Sequence, residues 1–210
     1  MNYKAFLFLF LFTAGPVYSF GQQNDSLGLN LIQNPSFEEG DPQNGDLPLG
    51  WVNYGGTNTC IFHKSGDTKW YGVHMVTEDG DKFIRLVIKG NEYRECIGQD
   101  FEQPLTGKFT AKLLIARSDY YGSCGMDLTK RTNYNVPTAI QIKGINETGE
   151  KIVLFESEPV STMQWFELNA TFRVPFQMKT ILITPTWKDT DGSDYTGNIV
   201  IDKFELYRSE

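Results

Sequence analysis

From residue 22 onward the apolar positions of this chain recur at every second residue, and no convincing stretch carries the spacing of a helix. Alternation sends successive side chains to opposite faces of a pleated strand, so the pattern is that of half-buried strands. Gln164-Trp-Phe-Glu-Leu-Asn-Ala-Thr-Phe-Arg-Val174 keeps it longest, and Thr138-Ala-Ile-Gln-Ile-Lys143 keeps it over a shorter run. Asp81–Lys89, between Gly80 and Gly90, and Phe109–Arg117 are rich in β-branched and apolar residues. Gly144–Gly149 turns the 138–143 run into Lys151–Phe155, which predicts a hairpin. Thr180–Thr184 and Asn198–Tyr207 complete the set. Many short strands punctuated by turn signals predict an all-β sandwich or barrel. Neither a linker nor an internal repeat interrupts it. The widest loops fall at 40–50, 64–71, 118–137 and 186–197, and loops carry function more often than strands do.

The first 21 residues read differently. Lys4 gives a positive start, Ala5–Phe12 a short apolar core, Pro16 a break, and Ser19 and Gly21 small residues for cleavage. This predicts a secretory signal at 1–21 and one mature domain at 22–210. The apolar core is too short to span a bilayer, which needs about 20 residues. No cysteine near the cleavage point offers a site for a lipid anchor. Removing residues 1–21 leaves 18 basic against 26 acidic residues, a net charge of −8. Such a charge argues against nucleic acid, whose affinity comes from Lys and Arg neutralising phosphates. It says little about a neutral sugar. Export permits disulfides, and the three cysteines, Cys60, Cys96 and Cys124, leave at least one thiol over; three intramolecular pairs are open, as is a set of buried free thiols.

One run stands out against this background: Asn30-Leu-Ile-Gln-Asn-Pro-Ser-Phe-Glu-Glu-Gly40, followed by Trp51. It resembles the opening strand of carbohydrate-binding modules with the galactose-binding-like jelly-roll fold. Three further segments resemble that family in the expected order. They are Gln99-Asp-Phe-Glu-Gln-Pro-Leu-Thr-Gly-Lys-Phe109, read as a turn between strands, Trp165–Pro175, and Ile201-Asp-Lys-Phe-Glu-Leu206. The opening run and Glu92-Tyr-Arg-Glu-Cys96 also resemble secreted proteins of Bacteroidetes-type bacteria. The resemblance implies a jelly-roll β-sandwich of two antiparallel sheets, with the first and last strands adjacent. It also implies a structural Ca²⁺ between them, held by Glu38 and Asp202. Ca²⁺ takes six to eight oxygens, so backbone carbonyls must complete such a shell. Asp202 interrupts an apolar strand, where it either points outward or must be paired if buried. A second acidic run, Asp189-Thr-Asp-Gly-Ser-Asp194, lacks the twelfth-position Glu of an EF-hand, that position being Val200, and is composed like a solvated turn.

Sugars stack their apolar faces on Trp or Tyr and hydrogen-bond to amides, carboxylates and Arg. Trp70, Tyr71, Tyr120, Tyr121 and Trp187 lie in the wide loops and are the candidate platforms. Trp51 and Trp165 occupy positions that the resemblance assigns to the core. Arg94 with Glu95, and Arg117 with Asp119, are candidate hydroxyl partners. Each of these residues has a plain alternative, a loop staple or an ordinary surface charge.

Catalytic signals are thin. His63 and His74 share no metal-ligand spacing, and no Gly-x-Ser-x-Gly elbow occurs. Cys124, between Gly122 and Gly125, is a candidate nucleophile, though an exported cysteine in such a loop suits half a disulfide better. The formal sequons at Asn24, Asn146 and Asn169 would be silent in most bacteria. The expectation is therefore a secreted, periplasmic or cell-surface binding protein for a glycan or polysaccharide, without catalysis. Its first alternative is an accessory or structural subunit of an outer-membrane or surface protein complex, an expectation drawn from the lone domain ending at its last strand. Its lesser alternative is a polysaccharide-degrading enzyme.

Overall fold

The computed structural model describes residues 28–42, 46–55, 62–67, 72–90, 93–122, 133–188 and 196–210. The expected signal segment at 1–21, Trp70, Tyr71, Cys60, Cys124 and the 189–194 acidic run lie outside the described residues. Nine strands and no α-helix are found among those described: β1 Val52–Gly55, β2 Phe62–Lys64, β3 Lys82–Lys89, β4 Tyr93–Arg94, β5 Cys96–Ala116, β6 Ala139–Asn146, β7 Lys151–Glu156, β8 Phe166–Thr186 and β9 Thr196–Arg208. Every ladder is antiparallel, and the order runs β2-β3-β9-β5-β8-β6-β7, with β1 on β5 and β4 on β3. The all-β jelly-roll expectation is met.

Two strands make the sandwich. β5 and β8 each run for 21 residues, which drawn straight would span about 70 Å. Both bend and serve in both layers. The front layer holds β2, β3, β9, the second half of β5 and the first half of β8. The back layer holds β1, the start of β5, the end of β8, β6 and β7. The bend is written in the register, which breaks between Asp100 and Leu105 and again between Leu105 and Gly107. Gly107 takes φ +110°, which suits glycine, and Pro175, which has no N–H to give, falls in the unpaired stretch between Val174 and Met178. The sequence expectation of a turn at 99–109, and of separate strands at 164–174 and 180–184, is thus corrected. Proline and glycine there mark a bulged bend that carries each strand from one layer to the other.

The main core lies between the layers. Ile84 and Leu86 of β3, Leu113 and Ile115 of β5 and Ile199 and Ile201 of β9 face Ile97, Ile140, Ile142, Ile181 and Ile183. The opening run seals one end. Asn34 adopts φ +48°, accepts the Glu39 N–H at 3.1 Å and donates to the carbonyls of Glu39 and Leu49. Phe37, at φ +60° and fully buried, packs 5.1 Å from Trp51, which meets Phe204 edge-on at 5.9 Å. Leu31 N donates to Leu206 O and Phe204 N to Pro35 O, so the opening segment lies along the last strand.

A second, smaller core covers the outer face of the front layer. Phe83, Val87, Ala116 and Val200 point away from the sandwich and are roofed by Val73, Met75, Tyr121 and Tyr134. Asn198 fastens the roof: its Oδ1 accepts Ser118 N at 2.9 Å, and its Nδ2 donates to the carbonyls of Ser118 and Tyr134.

Candidate functional site

The outer face of the back layer follows from the same alternation. Ile97, Ile140, Ile142, Ile181 and Ile183 point into the core, so the residues between them point out. Register aligns these into three rows: Glu156–Gln141–Thr184, Val153–Lys143–Leu182–Gly98–Val52, and Lys151–Ile145–Thr180–Asp100. The floor is buried at Cys96, Leu182 and Thr184, while Gln141, Lys143, Arg94 and Trp187 are half-buried and Lys151 and Val153 exposed. The face therefore has relief, with long side chains standing above a closed floor.

Aromatic rings stand on it. The guanidinium of Arg94 lies 4.4 Å from the ring centre of Trp187, a cation–π stack that fixes both. At the β1 side, Tyr54 Oη donates to Asp100 Oδ1 at 2.5 Å, and Thr180 Oγ1 donates to the same oxygen at 2.5 Å. Tyr54 starts level with Cys96 and Ile97, so its ring must cross the Gly98 row to reach Asp100. A side chain at Gly98 would meet Ile181 O at 2.3 Å and Leu182 Cδ2 at 2.6 Å, which is why a residue without Cβ stands there. Gln141 Nε2 donates to Glu156. Burial lowers the affinity of Lys143 for its proton, and the neighbouring charge of Arg94 lowers it further. Burial pushes the Cys96 thiol up, while Lys151, Lys143 and Arg94 around it pull the other way.

Two of the predicted binding residues, Arg94 and Trp187, thus come together. Three others, Arg117, Tyr120 and Tyr121, sit on the 117–136 side of the molecule in structural contacts. Tyr121 is not a solvent-facing platform; it is buried, 4.5 Å under the Arg85 guanidinium and edge-on to Tyr134 at 5.5 Å. Tyr120 is partly exposed, but its ring is pressed on glycines: a Cβ at Gly72 would lie 2.6 Å from it and one at Gly122 2.8 Å from its hydroxyl. Arg117 donates to the carbonyls of Asn135 and Ser161. Asp119 O accepts from Asn133 Nδ2 at 3.2 Å. Trp51 is buried in the main core, and Trp165 is half-buried, edge-on to Phe83 and donating Nε1–H to Val76 O at 2.7 Å. Tyr54, Gln141, Lys143 and Thr180 were missed by sequence reasoning; the alternation in 138–143 does put Gln141 and Lys143 on one face, but only strand order reveals which face.

Glu95 belongs to the other side of the sandwich. It is buried beneath the second core's rim, accepting Val87 N at 2.7 Å and the Tyr93 hydroxyl at 3.1 Å. Its carboxylate fills the gap on the edge of β3 between β2 and β4. Burial pushes its pKa up to about 7, against the pull of the Val87 amide, the Arg85 charge and Tyr93.

Glu38 and Asp202 meet at one turn. Glu38 Oε1 accepts Asp81 N and Lys82 N, both at 2.9 Å, and packs on Gly80, where a Cβ would lie 2.4 Å away. Asp202 is the extra residue of a bulge in β9, since Ile115 pairs with Ile201 and Leu114 with Lys203. The bulge turns its carboxylate into the interior rather than outward. Oδ2 accepts Glu78 N at 2.7 Å and Asp79 N at 2.9 Å, whereas Oδ1 is buried without a hydrogen-bond partner. Burial pushes the Asp202 pKa up to about 6, with the charges of Asp79 and Glu38 adding to it and the two amides opposing. An orphaned buried oxygen is a donor a cation could use. Among the described residues no three acidic, His or Cys side chains cluster closely enough to hold a metal, so a Ca²⁺ here would draw on carbonyls. The donor chemistry fits that composition. His63 is buried and stacked on Phe83 at 5.5 Å, and His74 is exposed.

No family model matches the chain, and no curated protein matches it. Solved structures do. It is similar to the xylan-binding domain of Paenibacillus barcinonensis Xyn10C, at 14% identity over 88% of this chain and 98% of that one, with a TM-score of 0.49. It is similar to TmCBM61 in complex with β-1,4-galactotriose, at 14% identity over 87% and 100%, with a TM-score of 0.44. It is also similar to the K2 cleaved adhesin domain of Lys-gingipain, at 11% identity over 83% and 97%, with a TM-score of 0.47.

Proposed function

We propose that this chain is a secreted, non-catalytic carbohydrate-binding jelly-roll protein that receives a glycan on the outer face of its back layer. One observation carries the reading: five strands place an Arg-backed Trp187, Tyr54 and the polar side chains of Gln141, Lys143 and Asp100 on one accessible sheet face. Aromatic rings take the apolar faces of pyranose rings, and amide, ammonium and carboxylate groups take their hydroxyls. The carboxylates that face outward, Asp100 and Glu156, are engaged by hydroxyl and amide neighbours, an arrangement suited to holding rather than cleaving. Trp70, Tyr71 and Tyr120 remain loop platforms to be tested beside Trp187.

A structural Ca²⁺ forms the second part of the proposal. Glu38 and Asp202 would hold it, and it would supply a charge clamp joining the opening segment to β9. The Asp202 oxygen without a partner supports this.

Affinity electrophoresis through gels cast with a panel of polysaccharides tests the binding reading. Retardation by at least one polymer is expected, with Trp187→Ala weakening it about tenfold and Tyr54→Ala about threefold. Absence of retardation on every polymer, together with co-purification of an envelope protein, would instead support the accessory-subunit role. Release of products from the panel would support an enzyme.

A further inference from the structure

The charge on the proposed binding face is opposite to that of the chain. The whole sequence carries a net charge of −7, yet Lys143 of β6 and Lys151 of β7 lie diagonally across one pair of strands on this face, and Arg94 of β4, stacked on Trp187, is near enough to Lys143 for their charges to oppose. Among the described residues none of the three makes an ion pair. Three lysines elsewhere do: Lys179 with Glu147, Lys188 with Glu158 and Lys203 with Asp79 and Glu205. Of the two acidic residues of the face, Glu156 offsets part of the charge of Lys143. Asp100 is spent on the hydroxyls of Tyr54 and Thr180, and Glu156 accepts from Gln141.

Resting on the reading of this face as a glycan site, we infer that the glycan is anionic, with carboxylates or sulfates received by Arg94, Lys143 and Lys151. The chemistry is that of a charge-assisted hydrogen bond, which is stronger than a neutral one. Arg94 and Lys143 are also half-buried and crowd one another: burial comes first and Arg94 second among the causes that lower Lys143, and burial lowers Arg94. A bound anion relieves both costs at once. A neutral sugar relieves neither, and it would be bound beside three cations that Glu156 offsets only in part. The net negative charge of the chain opposes an anionic polymer, so attraction has to come from local cations such as these. The Arg94–Trp187 stack adds a ring for the sugar face beside the cation for its acid group.

The test compares one polymer with and without its charge. The mature chain is titrated with polygalacturonate, with the same polymer after carboxyl reduction, and with a sulfated galactan, at low and at raised salt. Binding to polygalacturonate or to the sulfated galactan is expected, and which of them binds identifies the acid group. Carboxyl reduction should weaken binding at least tenfold if carboxylate is read. Raised salt should weaken the charged polymers and leave any residual binding to the reduced one unchanged. Lys143→Gln and Lys151→Gln should each cost about 3–10-fold on the charged polymer alone, whereas Trp187→Ala weakens binding to all. Equal affinity for polygalacturonate and its reduced form, with no response to either lysine variant, would overturn the inference while leaving the glycan reading intact. Equal binding to double-stranded DNA would also overturn it, as charge attraction without sugar recognition. Binding to none of the polymers, neutral xylan included, would overturn both.

Discussion

The outer faces of the two layers obey one rule of alternation and reach opposite ends. On the front, Phe83, Arg85, Val87, Asn198 and Val200 are roofed by the 72–76, 118–122 and 133–136 segments and become a second core. On the back, Gln141, Lys143, Lys151 and Val153 stay accessible, with Trp187 and Tyr54 set among them. The difference is one of connection. Segments 118–122 and 133–136 return over the front face, and its polar groups are satisfied internally, Asn198 by Ser118 and Tyr134 and Glu95 by Val87. Polar residues on a sheet face therefore signal a site only where no loop lies over them; where one does, they are structural.

Substitutions should separate the two faces. The largest effect is expected on the front, where Tyr121→Ala removes a buried ring beneath Arg85 and should cost about 3–5 kcal/mol in chemical denaturation, with polysaccharide binding unchanged in the protein that remains folded. A matching loss of binding would mean that the front face takes part. Next comes pH. Glu95, held up at about 7 in the folded chain, lies above its unfolded value near 4.3. Its contribution is fully present below the unfolded value and lost as pH rises through 7. The wild type should thus lose about 2–4 kcal/mol of that contribution between pH 4 and pH 7.5 relative to Glu95→Gln, whose amide oxygen can still accept the Val87 N–H; parallel stability profiles for the two proteins would contradict it. Smaller again is calcium: at saturating Ca²⁺ the protein should gain about 2–3 kcal/mol, or roughly 5–10 °C in Tm, and EDTA should remove the gain. Asp202→Ala should abolish the difference, and a melt indifferent to EDTA would remove the metal from the account.

Much of the fold was legible because alternation is a local property. The hairpin at 144–149, the β3 and β9 strands and the opening run were readable from residues alone, and the structure shows why: Asn34, Phe37, Glu38 and Trp51 each make a specific contact that uses the chemistry of their side chains. The bends of β5 and β8 were read as ends, because Pro104, Gly107 and Pro175 punctuate a bulged strand in the same letters as a turn. The site was harder. Tyr121 and Trp187 are both aromatic residues at loop edges, yet one is buried against a cation and the other stacks with one on an open face. Lys143 and Lys151 carried no signal of their own in the sequence; only the folded sheet puts them on one face with Arg94. Long-range pairing decides both, and no window of the sequence contains it.

The central claim is that the outer face of the back layer holds the ligand. Backbone amide shifts of the isotopically labelled protein, followed during titration with oligogalacturonate, test it most directly. The account predicts that the moving signals cluster at Gly98, Gln141, Lys143, Leu182, Thr184 and Trp187. Movement confined to the front roof around Tyr121 and Tyr134, or to no contiguous surface, would contradict it.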